Sequence, residues 1–257
     1  MHRHIKLAGI DNLRDFGGYA TACGRGLPRG RLFRSGHHAQ ATDEDLQALA
    51  DLNIAVVVDL RRTDEREDQP SKRWPGFSAT VIDNDLGAPG EGWRHMLKDA
   101  DPTADFFHRT SLEWYRTVAF EPRLLDLYSR YFQALSEADG AALIHCAAGK
   151  DRTGVLVALT HHVAGVHRED IVEDYLLTNR AVSVQTRGPT IARLIAEYAG
   201  KAPDDDAVRA AMGVEPAYLE TAMSAIEARH GSLDAYLQEA LGLDPARRAA
   251  FEQRFLG

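Results

Sequence analysis

With 257 residues, 44% of them hydrophobic and 26% charged, the chain can bury a sizeable core, which excludes a disordered protein. The formal net charge of −8 argues against nucleic-acid binding, which needs a basic surface. Two well-separated cysteines, Cys23 and Cys146, exclude a disulfide framework, and no apolar run of about twenty residues is present to span a membrane.

The N-terminus, Met1-His2-Arg3-His4-Ile5-Lys6, lacks an apolar run after its basic residues, so no signal peptide is expected. Asp11-Asn12 and Gly17-Gly18 are turn signals, and a Gly/Pro loop at 23–30 makes 18–34 read as a hairpin. Arg14, Asp15 and Arg34 either line a site or brace the loop by ion pairs; bracing is the favoured reading. Thr42-Asp43-Glu44-Asp45 starts a helix with a capping-box pattern. Residues 54–60 form a β-branched apolar run and read as a strand ending in Asp59-Leu60-Arg61-Arg62.

Residues 63–76 are charged and end in Pro/Gly punctuation, and 78–82 is a plausible strand. Asp83-Asn84-Asp85 follows, opening a long loop at 87–102 with at most a short helix at 93–98. Helices are expected at 106–120 and, from Pro122, along Leu124, Tyr128, Tyr131 and Leu135. The aromatics Trp93, Phe106, Phe107 and Trp114 are read as core more than as cover for a site. Further helices are expected at 168–179, and from Gly188 onward the chain reads as helical: 190–198, 204–212, 216–229, 232–241 and 245–255.

Between these lies a short apolar strand, 141–144, then a tight loop, then a helix over 155–163. The joint reads His145-Cys146-Ala147-Ala148-Gly149-Lys150-Asp151-Arg152-Thr153-Gly154. Small residues at 147–149 let consecutive amides curl into an anion-binding nest, and a helix N-terminus adds positive potential there. A thiol at the first position is placed where thiolates are stabilised. A guanidinium at the last can grip two phosphate oxygens as lysine cannot. Amides plus arginine match the charge that develops on a transferring phosphoryl group. The bland alternative is an inert, buried cysteine. His161 and His162 sit far along the helix and read as packing or surface residues.

These residues resemble the Cys-x5-Arg signature of the protein tyrosine phosphatase superfamily. In its His-Cys-x-x-Gly-Lys-Asp-Arg-Thr-Gly form, the motif resembles the bacterial atypical phosphatases acting on phosphotyrosine and, in some members, phosphoinositides. Asn12-Leu13-Arg14-Asp15-Phe16-Gly17-Gly18, Arg31-Leu32-Phe33-Arg34-Ser35-Gly36 and Asp59-Leu60-Arg61-Arg62 resemble further blocks of that family. So do Asp174-Tyr175 with Asn179, and patches near Tyr218 and His230.

The resemblance implies an α/β fold: a mostly parallel sheet flanked by helices in one domain, its core at about 9–180 and a helical extension at about 188–257 packed on it. It implies a phosphomonoester hydrolase in which Cys146 attacks phosphorus, held by the 147–152 loop with Arg152, and no metal or cofactor. His145, Thr153, Asp59 and Arg61 are expected in support. Three aspartates compete as general acid: Asp151 first, then Asp83 and Asp85 at the start of the long loop. Lys150 is either a rim cation for polyphosphorylated substrates or a solvated loop lysine. The expected partner is a phosphorylated protein or a phosphoinositide, in the cytoplasm. A phosphate-binding pseudophosphatase and a rhodanese-type sulfur transferase stand as alternatives.

Overall fold

The structure is a computed structural model that describes residues 3–87, 92–137, 139–182 and 184–256; the side chains of Trp93 and Arg94 also lie outside the described part. Five strands form one sheet in the order β1-β2-β5-β3-β4: β1 Arg14–Asp15, β2 Leu32–Ser35, β3 Ile54–Asp59, β4 Thr80–Ile82 and β5 Ala141–His145. Only β1 is antiparallel to its neighbour. The fold is therefore α/β with a mostly parallel sheet.

β3 and β5 are apolar on both faces because helices cover both sides, as parallel strands require. On one face Val56, Val58, Ala142 and Ile144 join the main core. On the other, Val57 and Leu143 pack with Phe33, Leu46, Leu49 and Trp74. Ile54 shares the Val57 face although strict alternation would place it with Val56. A register irregularity between Ile54 and Val56 absorbs the extra residue.

The helix α1, Asp43–Ala50, begins with the expected capping box between Thr42 and Asp45. Asp45 also accepts the amides of Ala8 and Gly9, so the cap ties the N-terminal segment to the helix. The expected 18–34 hairpin is present as a short irregular one, with the Ala20–Gly26 bridge and backbone bonds from Gly18 to Leu27, Leu27 to Tyr19 and Thr21 to Arg25; the paired strands of the sheet are Arg14–Asp15 and Leu32–Ser35. The charged stretch after Arg62 is a helix, α2, Thr63–Asp68. The long loop carries α3, Trp93–Leu97, and is followed by α4, Ala104–Tyr115, and a 3-10 turn at Val118–Phe120.

Next come α5, Pro122–Glu137, and α6, Asp151–Val163, both on the main core. The chain then runs through α7 Arg168–Leu176, α8 Thr178–Ala181, α9 Val184–Ala199, α10 Asp205–Met212, α11 Pro216–His230, α12 Leu233–Glu239 and α13 Pro245–Leu256. Gly188 and Pro189 do not begin the helical region as expected; α9 carries both in its interior. Pro189 forgoes one backbone bond, and the turns beyond it, with Ile195 buried, hold the helix. The C-terminal helices divide between two cores. α9 and α10 form a small core with α3 and α4, around Leu97, Phe107, Ile195, Ala207 and Ala211. α11 to α13 supply Leu219, Ile226, Leu237 and Phe255 to the main one. Phe107 and Trp114 pack in these cores; the Trp93 side chain lies outside the described residues.

Candidate active site

Parallel pairing sets the site. Ser35 and Asp59 both stand in register with His145, so three strands end together just before Cys146. Cys146 is free and only 2% exposed. Gly149 takes φ +66°, and a Cβ there would lie 2.3 Å from the Ser35 carbonyl, so no other residue fits the turn.

The carbonyls of this loop are tied outward. Ala147 O accepts from the His37 amide at 3.0 Å. Gly149 O accepts from Asn12 Nδ2 and from Arg34, each at 2.8 Å. Among the described residues no hydrogen bond uses the amides from Ala147 through Arg152 as donors. A carbonyl shell facing out and free amides at the start of a long helix make an anion site.

Asp151 and Arg152 are the first two residues of α6. Arg152 is clamped end-on by Glu65 of α2: Nη1–Oε2 is 2.5 Å and Nη2–Oε1 2.7 Å. Nη1 also donates to Leu60 O at 3.1 Å. Arginine has five N–H donors. Those left without a partner among the described residues are Nε–H and the second Nη2–H, which form the side fork of the guanidinium. Burial works against the Arg152 charge, but Glu65, then Cys146 and Asp151, hold it firmly protonated. Burial likewise raises the Glu65 carboxyl, and Arg152 outweighs it, pulling the group down to about 2.

The other expected residues fall in distinct places. Asp59 is doubly bonded by Arg61, Nε–Oδ1 at 2.9 Å and Nη2–Oδ2 at 2.6 Å. Arg61 further donates to Gln69 O and Ser71 Oγ, so the pair braces the strand end against the segment after α2. Burial raises the Asp59 carboxyl, yet His145 and Arg61 bring it net well below the usual range. His145 lies beneath the loop, with Nε2 3.6 Å from Asp59 Oδ2 and its ring 4.5 Å from that of His38. Burial lowers it to about 4. Thr153 is buried, and its hydroxyl has no hydrogen-bond partner among the described residues.

Asp83 and Asp85 are both held by Arg66 of α2, Asp83 at 2.8 Å, and stand 43% and 78% exposed. Asp151 instead sits at the loop, where Oδ1 accepts from Tyr115 at 2.8 Å. Lys150 is neither solvated nor open at the rim. Its Nζ donates to Ala211 O at 2.7 Å and Gly213 O at 3.1 Å, capping the end of α10. Arg14 and Arg34 are fully buried and converge on Asp174. Asp15 accepts the amides of Gly17 and Gly30. These groups brace the loop and hairpin. His161 is buried against Phe16 O, and His162 pairs with Asp234.

Sequence reasoning did not identify Glu65, Tyr115 or Asn12. Glu65 carried a weak signal, an acidic residue in a charged stretch after the strand-end Arg61-Arg62. Tyr115 and Asn12 reach the loop over 36 and 137 positions; Asn12 stands in a turn and in a block resembling the family, but nothing in either residue's neighbourhood ties it to the loop.

Residues 5–257 match the family model described as tyrosine phosphatase family. A putative tyrosine-protein phosphatase of Cupriavidus necator is 32% identical over 93% of this chain and 84% of its own. The triple specificity protein phosphatase PtpB of Mycobacterium tuberculosis is 31% identical over 91% of this chain and 93% of its own. Among solved structures, P. aeruginosa TpbA is 20% identical with a TM-score of 0.30, covering 71% of this chain and 86% of that one.

Proposed function

This chain belongs to the tyrosine phosphatase family, and we propose that it hydrolyses phosphotyrosine through a cysteinyl-phosphate on Cys146. The observation that carries this reading is the loop whose amides have no partner among the described residues, with a thiol at its start and the unused side fork of Arg152 at its end. A phosphoryl group seated there meets amide hydrogens on its equatorial oxygens and the fork on two of them.

The Cys146 thiolate forms the S–P bond as the P–O bond to the leaving group breaks. Asp151 gives its proton to the departing oxygen. Water then attacks phosphorus, Asp151 takes a proton from it, and the S–P bond breaks to release phosphate and the thiolate. Asp151 is favoured over Asp83 and Asp85 because it sits at the loop, whereas those two are committed to Arg66. His145, Asp59 and Arg61 support the strand ends, and to the Thr153 hydroxyl, in the first turn of α6, we assign the stabilisation of the returning thiolate. No step calls for a metal or cofactor.

We extend the substrate range to phosphoserine, phosphothreonine and phosphoinositides. The name of the mycobacterial relative, a triple specificity phosphatase, supports breadth beyond one class. We take the chain as one phosphatase domain working in the cytoplasm, where a reducing environment suits a thiol nucleophile. Among the described residues no helix is long and apolar enough to cross a membrane.

Cys146→Ser tests the mechanism. Turnover of para-nitrophenyl phosphate and phosphotyrosine peptide should vanish while vanadate still binds, since the amides and Arg152 remain. More than a few per cent of residual turnover would sink the cysteinyl-phosphate. Sulfur transfer in place of phosphate release by the unaltered protein would favour the rhodanese alternative, and vanadate binding without turnover the pseudophosphatase.

A further inference from the structure

The Asp151 carboxylate has buried partners that the chemistry above leaves unused. Tyr115, the last residue of α4, places its hydroxyl 2.8 Å from Asp151 Oδ1. The hydroxyl of Tyr175, on α7, lies 2.7 Å from that of Tyr115. Each tyrosine is 1% exposed.

Two protons serve this chain of three oxygens, so its direction can be argued. Suppose Tyr115 donated to Tyr175. The Tyr175 proton would then have no acceptor among the described residues, in a site closed to water, and native structures avoid such orphaned donors. The satisfied arrangement runs the other way: Tyr175 donates to Tyr115, and Tyr115 donates to Asp151 Oδ1. Each bond polarises the next.

We infer that Tyr115 and Tyr175 are positioning residues for Asp151, their hydroxyl chain fixing Oδ1 as an acceptor and so leaving the transferable proton on Oδ2. The inference rests on the reading of Asp151 as general acid. Burial, reinforced by the Asp151 charge, raises both phenols well above their ordinary range, so they stay neutral donors throughout the working pH. Among the described residues Oδ2 accepts no hydrogen bond; the Lys150 ammonium stands 3.8 Å from it and is already bonded to the Ala211 and Gly213 carbonyls. The Tyr115 ring stacks on Tyr218 of α11 at 5.6 Å between centroids, so a phenylalanine keeps the packing and loses only the hydroxyl.

The test compares kcat and KM on phenyl phosphate, whose leaving group needs a proton, with para-nitrophenyl phosphate, whose leaving group needs little. Tyr115→Phe should lower kcat on phenyl phosphate by about tenfold, the ordinary worth of one hydrogen bond, and by less than about twofold on the nitrophenyl ester. KM should stay unchanged on both. Tyr175→Phe should show the same selectivity at about threefold, through lost polarisation alone. Equal loss on both esters, or no loss on either, overturns the inference. If Tyr115→Phe does not fold, the selectivity of Tyr175→Phe decides on the same terms. Asp151→Asn separates the two failures. If it shows no leaving-group selectivity, the acid reading falls and the inference with it. If it is selective and the tyrosine variants are not, the inference alone falls.

Discussion

Glu65 holds Arg152 end-on, across 87 residues of sequence, with both carboxylate oxygens on the two terminal nitrogens of the guanidinium. Glu65 Oε2 also accepts the Arg62 amide at 2.8 Å, so the clamp is itself seated on the first turn of α2. The clamp turns the side fork into the free face of Arg152 and removes the rotamer freedom a long side chain would otherwise lose on binding phosphate.

Glu65→Gln keeps the shape and loses half of the acceptor pair. We expect kcat/KM on phosphotyrosine to fall by roughly tenfold to a hundredfold, with a lowered melting temperature because the buried Arg152 charge loses its anionic partner. Arg152→Lys should be more severe, because an ammonium cannot serve Glu65 and phosphate at once. Steady-state kinetics on both variants is the check, and near-normal activity in Arg152→Lys would make the arginine structural.

Lys150 is committed to the Ala211 and Gly213 carbonyls. Lys150→Ala should therefore lower activity on phosphotyrosine peptide and on a soluble phosphoinositide by the same few-fold factor, through a looser loop. A loss confined to the phosphoinositide would mean that the lysine leaves α10 to meet substrate.

Asp174 balances two fully buried arginines, 3.1 Å from Arg34 and 3.5 Å from Arg14. Asp174→Asn strands both charges, and we expect a loss of about 3–5 kcal/mol in denaturant unfolding. Because Arg34 also holds Gly149 O, residual folded protein should bind vanadate less tightly. A loss below about 1 kcal/mol would show that water reaches these arginines.

Burial lowers the imidazoles of His145, to about 4, and of His38 and His161. Between the unfolded value of about 6.5 and these folded values, the unfolded chain binds the extra protons, so stability falls as pH drops through that window. Glu65, held down at about 2, adds a second loss as pH falls from about 4.5 toward 2. Unfolding free energy measured from pH 7 to 4 should drop steadily, with a shallower slope in His145→Gln. An unchanged slope in that variant would remove His145 from the account.

Much of this protein was legible in its sequence, because the signals are local. The apolar run at 54–60, the capping box at Thr42 and the strand–loop–helix around Cys146 each encode their conformation in a few neighbouring residues, and each folds as read. The loop motif likewise contains its own reasons: small residues for the amide nest, a thiol at one end and a guanidinium at the other. What only the tertiary structure decided is how those groups are oriented. Glu65 faces Arg152 because β3 and β5 run in parallel register and α2 leaves the β3 end beside the loop. Tyr115 reaches Asp151 because α4 packs on α10 and α11 beside the loop, and Lys150 reaches the end of α10 for the same reason. Such contacts depend on where distant segments meet in space, and the residues making them carry no mark of it in their own neighbourhood.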